Sequence, residues 1–482
     1  MASSSSSHSL IFLVLLLLSI FLSTTSSPMI VLPLTHTLSQ TQFKSAHHHL
    51  KKSTTHSAAR RPLSLPLSPG TDYTLTLSIG SSSPPQSISM YMDTGSDVVW
   101  FPCSPFECIL CEGELENQLL SSFNLTASST ATTLHCSSSH CSTVHSAAPT
   151  SDLCAISGCP LDSIELNDCP TSSSCPPFYY AYGDGSLVAR LHSDKLSIPS
   201  MKKLQNLTFG CAHTTLAEPI GVAGFGRGRL SLPAQLATVS PHLGNQFSYC
   251  LISHSFKSHK IRRPSPLILG RRDQETKTQK DDNKPVIYTP MLDNPKHPYF
   301  YCVGLTGISI GKKLIPAPTR MSLVDSNGDG GLVVDSGTTF TMLPARFYQS
   351  IAAEFDGRVN GVWKRLSELE STTGLSHCYY LKDDVARRGS VPSLTLHFGN
   401  VSSSSVTLPK RNYFYEFMDG GNKENKRRVG CLMLINGGDE LGGPSGILGN
   451  YFQQGFEVVY DLDEKRVGFV RRKCDSLWEE LK

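Results

Sequence analysis

The stretch SMYMDTGSDVVW at residues 89–100 has a near-copy, GLVVDSGTTFTML, at residues 331–343. Each copy runs an apolar segment into Asp, then a hydroxyl residue, a Gly and a second hydroxyl residue. Each is followed, much later, by two apolar residues between glycines, Gly221-Val-Ala-Gly224 in one half and Gly446-Ile-Leu-Gly449 in the other. One Asp-Thr-Gly says little, because Asp bonds its own backbone and Gly supplies positive φ in any turn. Two matched pairs of elements say more. They imply an internal duplication, and a duplicated fold can set Asp93 and Asp335 side by side on its symmetry axis.

The intervening chain fits two β lobes. After Gly70 short strand-like runs recur (TDYTLTLSIG, KLQNLTFGCA, PVIYTPML, YFYCVGLTGISIG, SVPSLTLHF, FEVVYDLDEKRVGFV), separated by Gly, Pro, Asn and Asp. Helical patterns are short, chiefly LSLPAQLATV and PARFYQSIAAEF. The expected fold class is all-β, mainly strands with few short helices, in two pseudo-symmetric, barrel-like lobes with a cleft between them. The first lobe is expected over 70–272, with a cysteine-rich insertion at about 103–175, and the second over 273–482.

The ends and the composition set the compartment. Leu10 to Leu22 is a 13-residue apolar run followed by STTSS. It is short for a membrane span and right for a secretory signal over 1–27, although its first residues lack Lys and Arg. Residues 28–69 read as a polar leader with little apolar periodicity. Five basic residues and no acid fall before Gly70, leaving 38 basic and 40 acidic residues beyond, so nothing calls for nucleic acid. Nine of the 15 cysteines lie between Cys103 and Cys175, the pattern of a disulfide-stapled loop in an oxidising compartment. Cys108-Ile-Leu-Cys111 lacks the second CxxC of a zinc ribbon. Asn124, Asn206 and Asn400 head glycosylation sequons.

Two neighbouring carboxyls cannot both ionise cheaply, so the pair holds one proton and its apparent pKa values split. The ionised member can take a proton from water while the protonated one donates to a carbonyl. This is hydrolysis by general acid–base catalysis without a covalent intermediate, and it calls for no cofactor or metal.

With these motifs in place, the chain resembles the pepsin-like aspartic proteases. It is most similar to the secreted plant, nepenthesin-like type with a cysteine-rich insertion, over essentially all of residues 70–475. Asp93-Thr94-Gly95-Ser96 and Asp335-Ser336-Gly337-Thr338 match the two catalytic signatures. Tyr182-Gly183-Asp184-Gly185-Ser186 matches the flap, Trp100 the residue that supports it, and GILGNYFQQGFEVVYDLDEKRVGFV the C-terminal end. The resemblance implies a bilobal pepsin-like fold, catalytic Asp93 and Asp335, and a flap in which Tyr182, Gly183 and Asp184 close over an extended polypeptide. It further implies disulfides Cys103–Cys211, Cys108–Cys111, Cys250–Cys474 and Cys378–Cys431, with Cys302 left unpaired. A secreted monomer of the extracellular space or cell wall is expected, with the vacuole as the other destination.

Ser336 stands where many family members have Thr, and it keeps the hydroxyl that bonds between the two motif loops. Asp325-Ser-Asn327-Gly-Asp329 opens like a calcium-binding loop, but Ser336 sits where a bidentate Glu is needed. Gly224–Arg229 mimics a phosphate loop without the βαβ unit that would frame it. Residues 28–69 are expected to be a prosegment whose basic residues serve either as a folding leader or as a latch on an acidic cleft, and Arg60-Arg61 offers a processing site. The competing function is a binding protein or inhibitor of cell-wall enzymes on the same fold. A structural wall glycoprotein rests only on the leader and the sequons.

Overall fold

The computed structural model describes residues 29–36, 73–111, 122–146, 173–183, 185–198, 204–252, 264–270, 285–381, 391–399, 404–419, 427–438 and 442–481. The expected signal at 1–27 lies outside them, as do Asp184, Asn400, Lys51, Lys52, Arg60 and Arg61. No helix among the described residues is long and apolar enough to cross a membrane. The protein is mainly β and bilobal.

One continuous ribbon of strands crosses the molecule. Gly221–Gly224 lies parallel to Gln86–Asp93, which pairs antiparallel with Tyr73–Ile79. From there the antiparallel order is Ile30–His36, Ser265–Leu269, Gln246–Cys250, Phe456–Asp461, Arg466–Arg471, Ile287–Leu292, Cys302–Val303 and Leu332–Val334. Gly446–Leu448 closes the series, again parallel. Read from the centre outward, where Gln246–Cys250 meets Phe456–Asp461, the two sides match strand for strand. The duplication seen in the motifs is a two-fold repeat of the backbone, and its ends place the two Asp turns together.

Part of the segment ahead of Gly70 takes a place in that symmetry. Ile30–His36 occupies the place in the first lobe that Ile287–Leu292 occupies in the second. Ile30, Leu32 and Leu34 are buried while Val31, Pro33 and Thr35 are not. This is the period-two pattern of a strand with one face on the core. Residues 30–36, expected within the leader, therefore pack as a strand of the first lobe. The run is only seven residues long and contains Pro33, which hid the alternation.

Both expected helices form, the first shorter than its sequence pattern and the second extended to Val359. Leu232–Ala237 is capped by Ser231, whose hydroxyl accepts from the Ala234 N–H at 3.2 Å. Ala345–Val359 buries Phe347, Ile351, Phe355 and Val359, a four-residue spacing along one face. The described disulfides join Cys103 to Cys211, Cys108 to Cys111, Cys141 to Cys175, Cys250 to Cys474 and Cys378 to Cys431. Cys302 is the free thiol among the described residues, and burial pushes its pKa up to about 11.

Leu34 is 1% exposed in the inserted strand. Leu34→Ala should lower stability by about 2–5 kcal/mol, as large-to-small changes in cores do. Denaturant titration measures it, and a loss under about 0.5 kcal/mol, the range of surface changes, would place residues 30–36 outside the cooperative fold.

Candidate active site

Each Asp turn is built by its own local chemistry. Gly95 N–H donates to Asp93 Oδ1 at 2.8 Å and the Ser96 hydroxyl to Asp93 Oδ2 at 2.5 Å. In the second lobe the Gly337 N–H reaches Asp335 Oδ1 at 2.7 Å and the Thr338 hydroxyl Asp335 Oδ2 at 2.6 Å. The two carboxyls thus have the same four-atom cradle. Small residues follow each Asp because the opposite carboxyl occupies the space. A Cβ on Gly95 would lie 2.6 Å from Asp335 Oδ2, and one on Gly337 would overlap Asp93.

The turns are locked to each other. Thr94 donates its hydroxyl to Val334 O at 3.0 Å, and the Ser336 N–H donates to the Thr94 oxygen at 2.9 Å. Ser336 answers with its hydroxyl to Met92 O at 2.9 Å and accepts the Thr94 N–H at 3.1 Å. All four bonds are buried, and each hydroxyl serves as donor and acceptor across the lobe boundary. The family's Thr-to-Ser exchange at residue 336 therefore keeps the function of the position, because only the hydroxyl is used.

Asp93 and Asp335 are each 8% exposed. Burial holds the Asp93 carboxyl well above its ordinary range, and the charge of Asp335 and a hydrogen bond to it push the same way. The bonds from Ser96 and Gly95 oppose the rise without cancelling it. Asp93 is accordingly the member that keeps a proton when ordinary carboxyls have lost theirs.

Above the pair, Phe178–Ala181 and Ser186–Ser197 form a hairpin whose tip closes with Tyr182 N–H to Gly185 O at 2.8 Å. The Trp100 indole N–H donates to the Tyr182 phenol oxygen at 2.6 Å. Burial and the charge of Asp93 raise the Tyr182 pKa, so the phenol is a neutral group over the carboxyls. Gly183 is at the exposed tip. Asn124 and Asn206 are exposed, and the Asn124 side chain is folded back onto Thr126.

The cradle, the cross-bonded turns and the capping tyrosine have counterparts among known proteins. The family model described as Xylanase inhibitor N-terminal matches residues 73–271, and the one described as Xylanase inhibitor C-terminal matches residues 300–471. A probable aspartyl protease of Arabidopsis thaliana is 58% identical over 96% of each chain. The chain belongs to the aspartyl protease family. The plant type is shown by the aspartic proteinase nepenthesin-1 of Nepenthes gracilis, 31% identical over 84% of this chain and 78% of that one. Two solved structures share the fold. EDGP superposes with a TM-score of 0.61 at 21% identity, over 93% of this chain and 96% of that one. Conglutin gamma, a basic 7S globulin from lupine seeds, gives 0.59 at 18%, over 93% and 98%.

Beneath the dyad of this family member lies a polar layer that the motifs did not reveal. Gln453 donates to Asp335 O at 2.8 Å and to Leu448 O at 2.7 Å, and Asn450 donates to Ser336 O at 3.1 Å. Tyr249 bonds Gln453, its hydroxyl lies 2.8 Å from that of Tyr460, and Tyr460 reaches the Thr94 hydroxyl at 3.4 Å. The available signal was Asn450 and Gln453, polar residues at the head of an otherwise apolar C-terminal run. Asp97, one residue past the first motif, was also passed over.

Two outcomes follow from this geometry. Ser336→Ala strands the buried Met92 carbonyl and Thr94 N–H and should cost about 1–3 kcal/mol, whereas Ser336→Thr retains both bonds and should cost less than about 1 kcal/mol. Equal losses in denaturant titration would show that the cross-bonds do not hold the turns. Second, the Asp93 pKa is raised in the folded state above its ordinary 3.8. Its contribution to stability is complete below that value and is lost as pH rises through the folded pKa. Asp93→Asn carries no such loss, so its melting temperature relative to the parent should rise from pH 3 to pH 7. A relative fall over that range would contradict the assignment of the proton.

Proposed function

We propose that this chain is a secreted endopeptidase that hydrolyses peptide bonds with a water activated between Asp93 and Asp335, and that it works best in acid. One observation carries the reading: two buried carboxyls in identical cradles, locked together by the Thr94 and Ser336 bonds, with the proton on Asp93. The partner carboxylate takes a proton from water as the water attacks, and Asp93 donates its proton to the carbonyl oxygen of the scissile bond. The product is a tetrahedral diol that collapses with proton transfer to the leaving nitrogen. Tyr182 covers the reacting group and limits its contact with solvent. A cleft between two β lobes suits an extended polypeptide held through its backbone. The need for one proton on the pair sets activity on the acid side.

The apolar run Leu10–Leu22 and the density of disulfides support secretion, to the extracellular space or cell wall, with the vacuole as the other destination. A second reading has support of its own. The matching family models are described as xylanase inhibitors, and a seed globulin shares the fold, so the fold by itself does not carry catalysis. On that reading the protein grips another protein through the same cleft.

Cleavage of acid-denatured globin between pH 3 and pH 7 separates the two. The endopeptidase reading expects an acid optimum and inhibition by pepstatin. It also expects a loss of at least about a hundredfold in both Asp93→Asn and Asp335→Asn, as removal of an acid–base partner gives. A folded chain that cleaves nothing at any pH would move the function to binding.

A further inference from the structure

Asp97 follows Ser96 directly, is 9% exposed, and takes no part in the cradle of Asp93. Among the described residues no other side chain bonds its carboxyl, whose one donor is its own backbone N–H. A buried carboxyl without a partner is costly, and natural sites retain one chiefly where a ligand completes it. The surroundings of the carboxyl come from both lobes. The loop Gly224–Leu230 wraps the turn, with the Gly226 N–H donating to Ser96 O at 2.8 Å and the Arg227 N–H to Tyr299 O at 2.9 Å. Residue 228 of the loop is a glycine because the Asp97 carboxylate occupies the place a Cβ would take. Half-buried Tyr180 and Tyr299, one from the flap hairpin and one from the second lobe, both feel the Asp97 charge and the Asp93 charge. Tyr180 packs at a tilt against Tyr182, with ring centroids 5.1 Å apart.

Resting on the proposed peptidase reading, the geometry points to Asp97 as a specificity-determining residue that receives a basic side chain, lysine or arginine, of the peptide beside the scissile bond. Its carboxylate supplies the counter-charge. The half-buried rings of Tyr180 and Tyr299 would supply the apolar surface for the aliphatic stem and the π electrons for the charged head. Arg227, on the same loop, is already engaged with Asp293 at 2.8 Å.

The site is expected to change its preference with pH. Burial pushes the Asp97 carboxyl up to about 6. Above that value the pocket is anionic and favours a cation. Below it the pocket is a neutral acid between tyrosines and accepts an apolar or amide side chain equally well. The other groups facing it do not reproduce this change. Burial raises Tyr180, and it pushes Tyr299 up to about 12, so both phenols stay neutral throughout. Arg227 is held in its ion pair with Asp293. Asp93 belongs to the dyad, and Arg229 is exposed on the far end of the loop. His297, against the Tyr299 ring, is lowered by burial and gains charge only in acid.

Peptides that carry lysine or its uncharged counterpart norleucine at each position around one scissile bond test the assignment. In the parent chain the lysine-to-norleucine ratio of kcat/KM at one position should rise about tenfold or more from pH 4 to pH 7, as a charge-assisted bond allows. In Asp97→Asn the rise should vanish, and in Gly228→Ala, which displaces the carboxyl, it should shrink. The same rise in Asp97→Asn, with His297 intact, would overturn the assignment, as would a flat ratio in the parent. Melting temperatures show that each variant is folded. Peptide affinities measured by fluorescence anisotropy on Asp93→Asn, with and without Asp97→Asn, give the same comparison without turnover. Asp97-dependent lysine binding by a chain that cleaves nothing would sink the peptidase reading and keep the pocket. Cleavage with no pH-dependent lysine preference would sink the pocket alone, and a chain that neither cleaves nor binds these peptides would sink both.

Discussion

The exchange of hydroxyls between Thr94 and Ser336 is the contact on which the rest of the site depends. Each hydroxyl bonds the backbone just before the opposite Asp, and each accepts the opposite turn's N–H. Both carboxyls are thereby held by backbone that has no freedom to separate. Such an arrangement keeps two like-charged groups close without asking them to attract each other. The proton on Asp93 then removes the repulsion that remains, and the bonds from Gly95, Ser96, Gly337 and Thr338 orient the oxygens. Positioning of this kind, fixed before substrate arrives, is what acid–base catalysis by a pair requires.

The ribbon of paired strands gives that contact its rigidity. Gln246–Cys250 and Phe456–Asp461 join the lobes at the centre, and the same region supplies Tyr249, Tyr460 and Gln453 beneath the dyad. Ser248 and Arg472 meet on the buried Glu457 beside the same seam, at 3.0 and 3.4 Å. A polar layer this deep is stable only when its members are satisfied, and here the donors run in a chain from Gln453 to the backbone of Asp335. The flap is the softer part. Its tip is exposed, and Tyr182 is secured chiefly through Trp100, which is itself in the core.

The features legible in the sequence were those with a period or a repeat. The duplicated Asp turns, the Gly-bracketed pairs and the strand alternation after Gly70 predicted a two-lobed β protein, and the fold has that form. Helix Ala345–Val359 was legible because its apolar residues recur every four positions. Ile30–His36 was not, since seven residues with a Pro give too short a run to distinguish from a polar leader. Asp97 was missed for a different reason. Its importance lies in a buried carboxyl without a side-chain partner and in tyrosines from two distant segments, neither of which adjoins it in the chain. Gln453 and Tyr249 were hidden likewise, because a polar residue in an apolar run shows its partner only when the strands are paired.

The account stands on the claim that Asp93 and Asp335 hold one proton between them. Infrared difference spectra of the carboxyl region, taken at pH 5 on the parent, Asp93→Asn and Asp335→Asn, measure it directly. The account predicts a protonated-carboxyl band in the parent that is lost in Asp93→Asn, which removes the carboxyl that burial keeps protonated, and retained in Asp335→Asn, where that burial remains, beyond whatever band Asp97 contributes to all three. A band unchanged in both variants would mean that the two carboxyls ionise independently, and the pair would then be two neighbouring turns rather than one chemical unit.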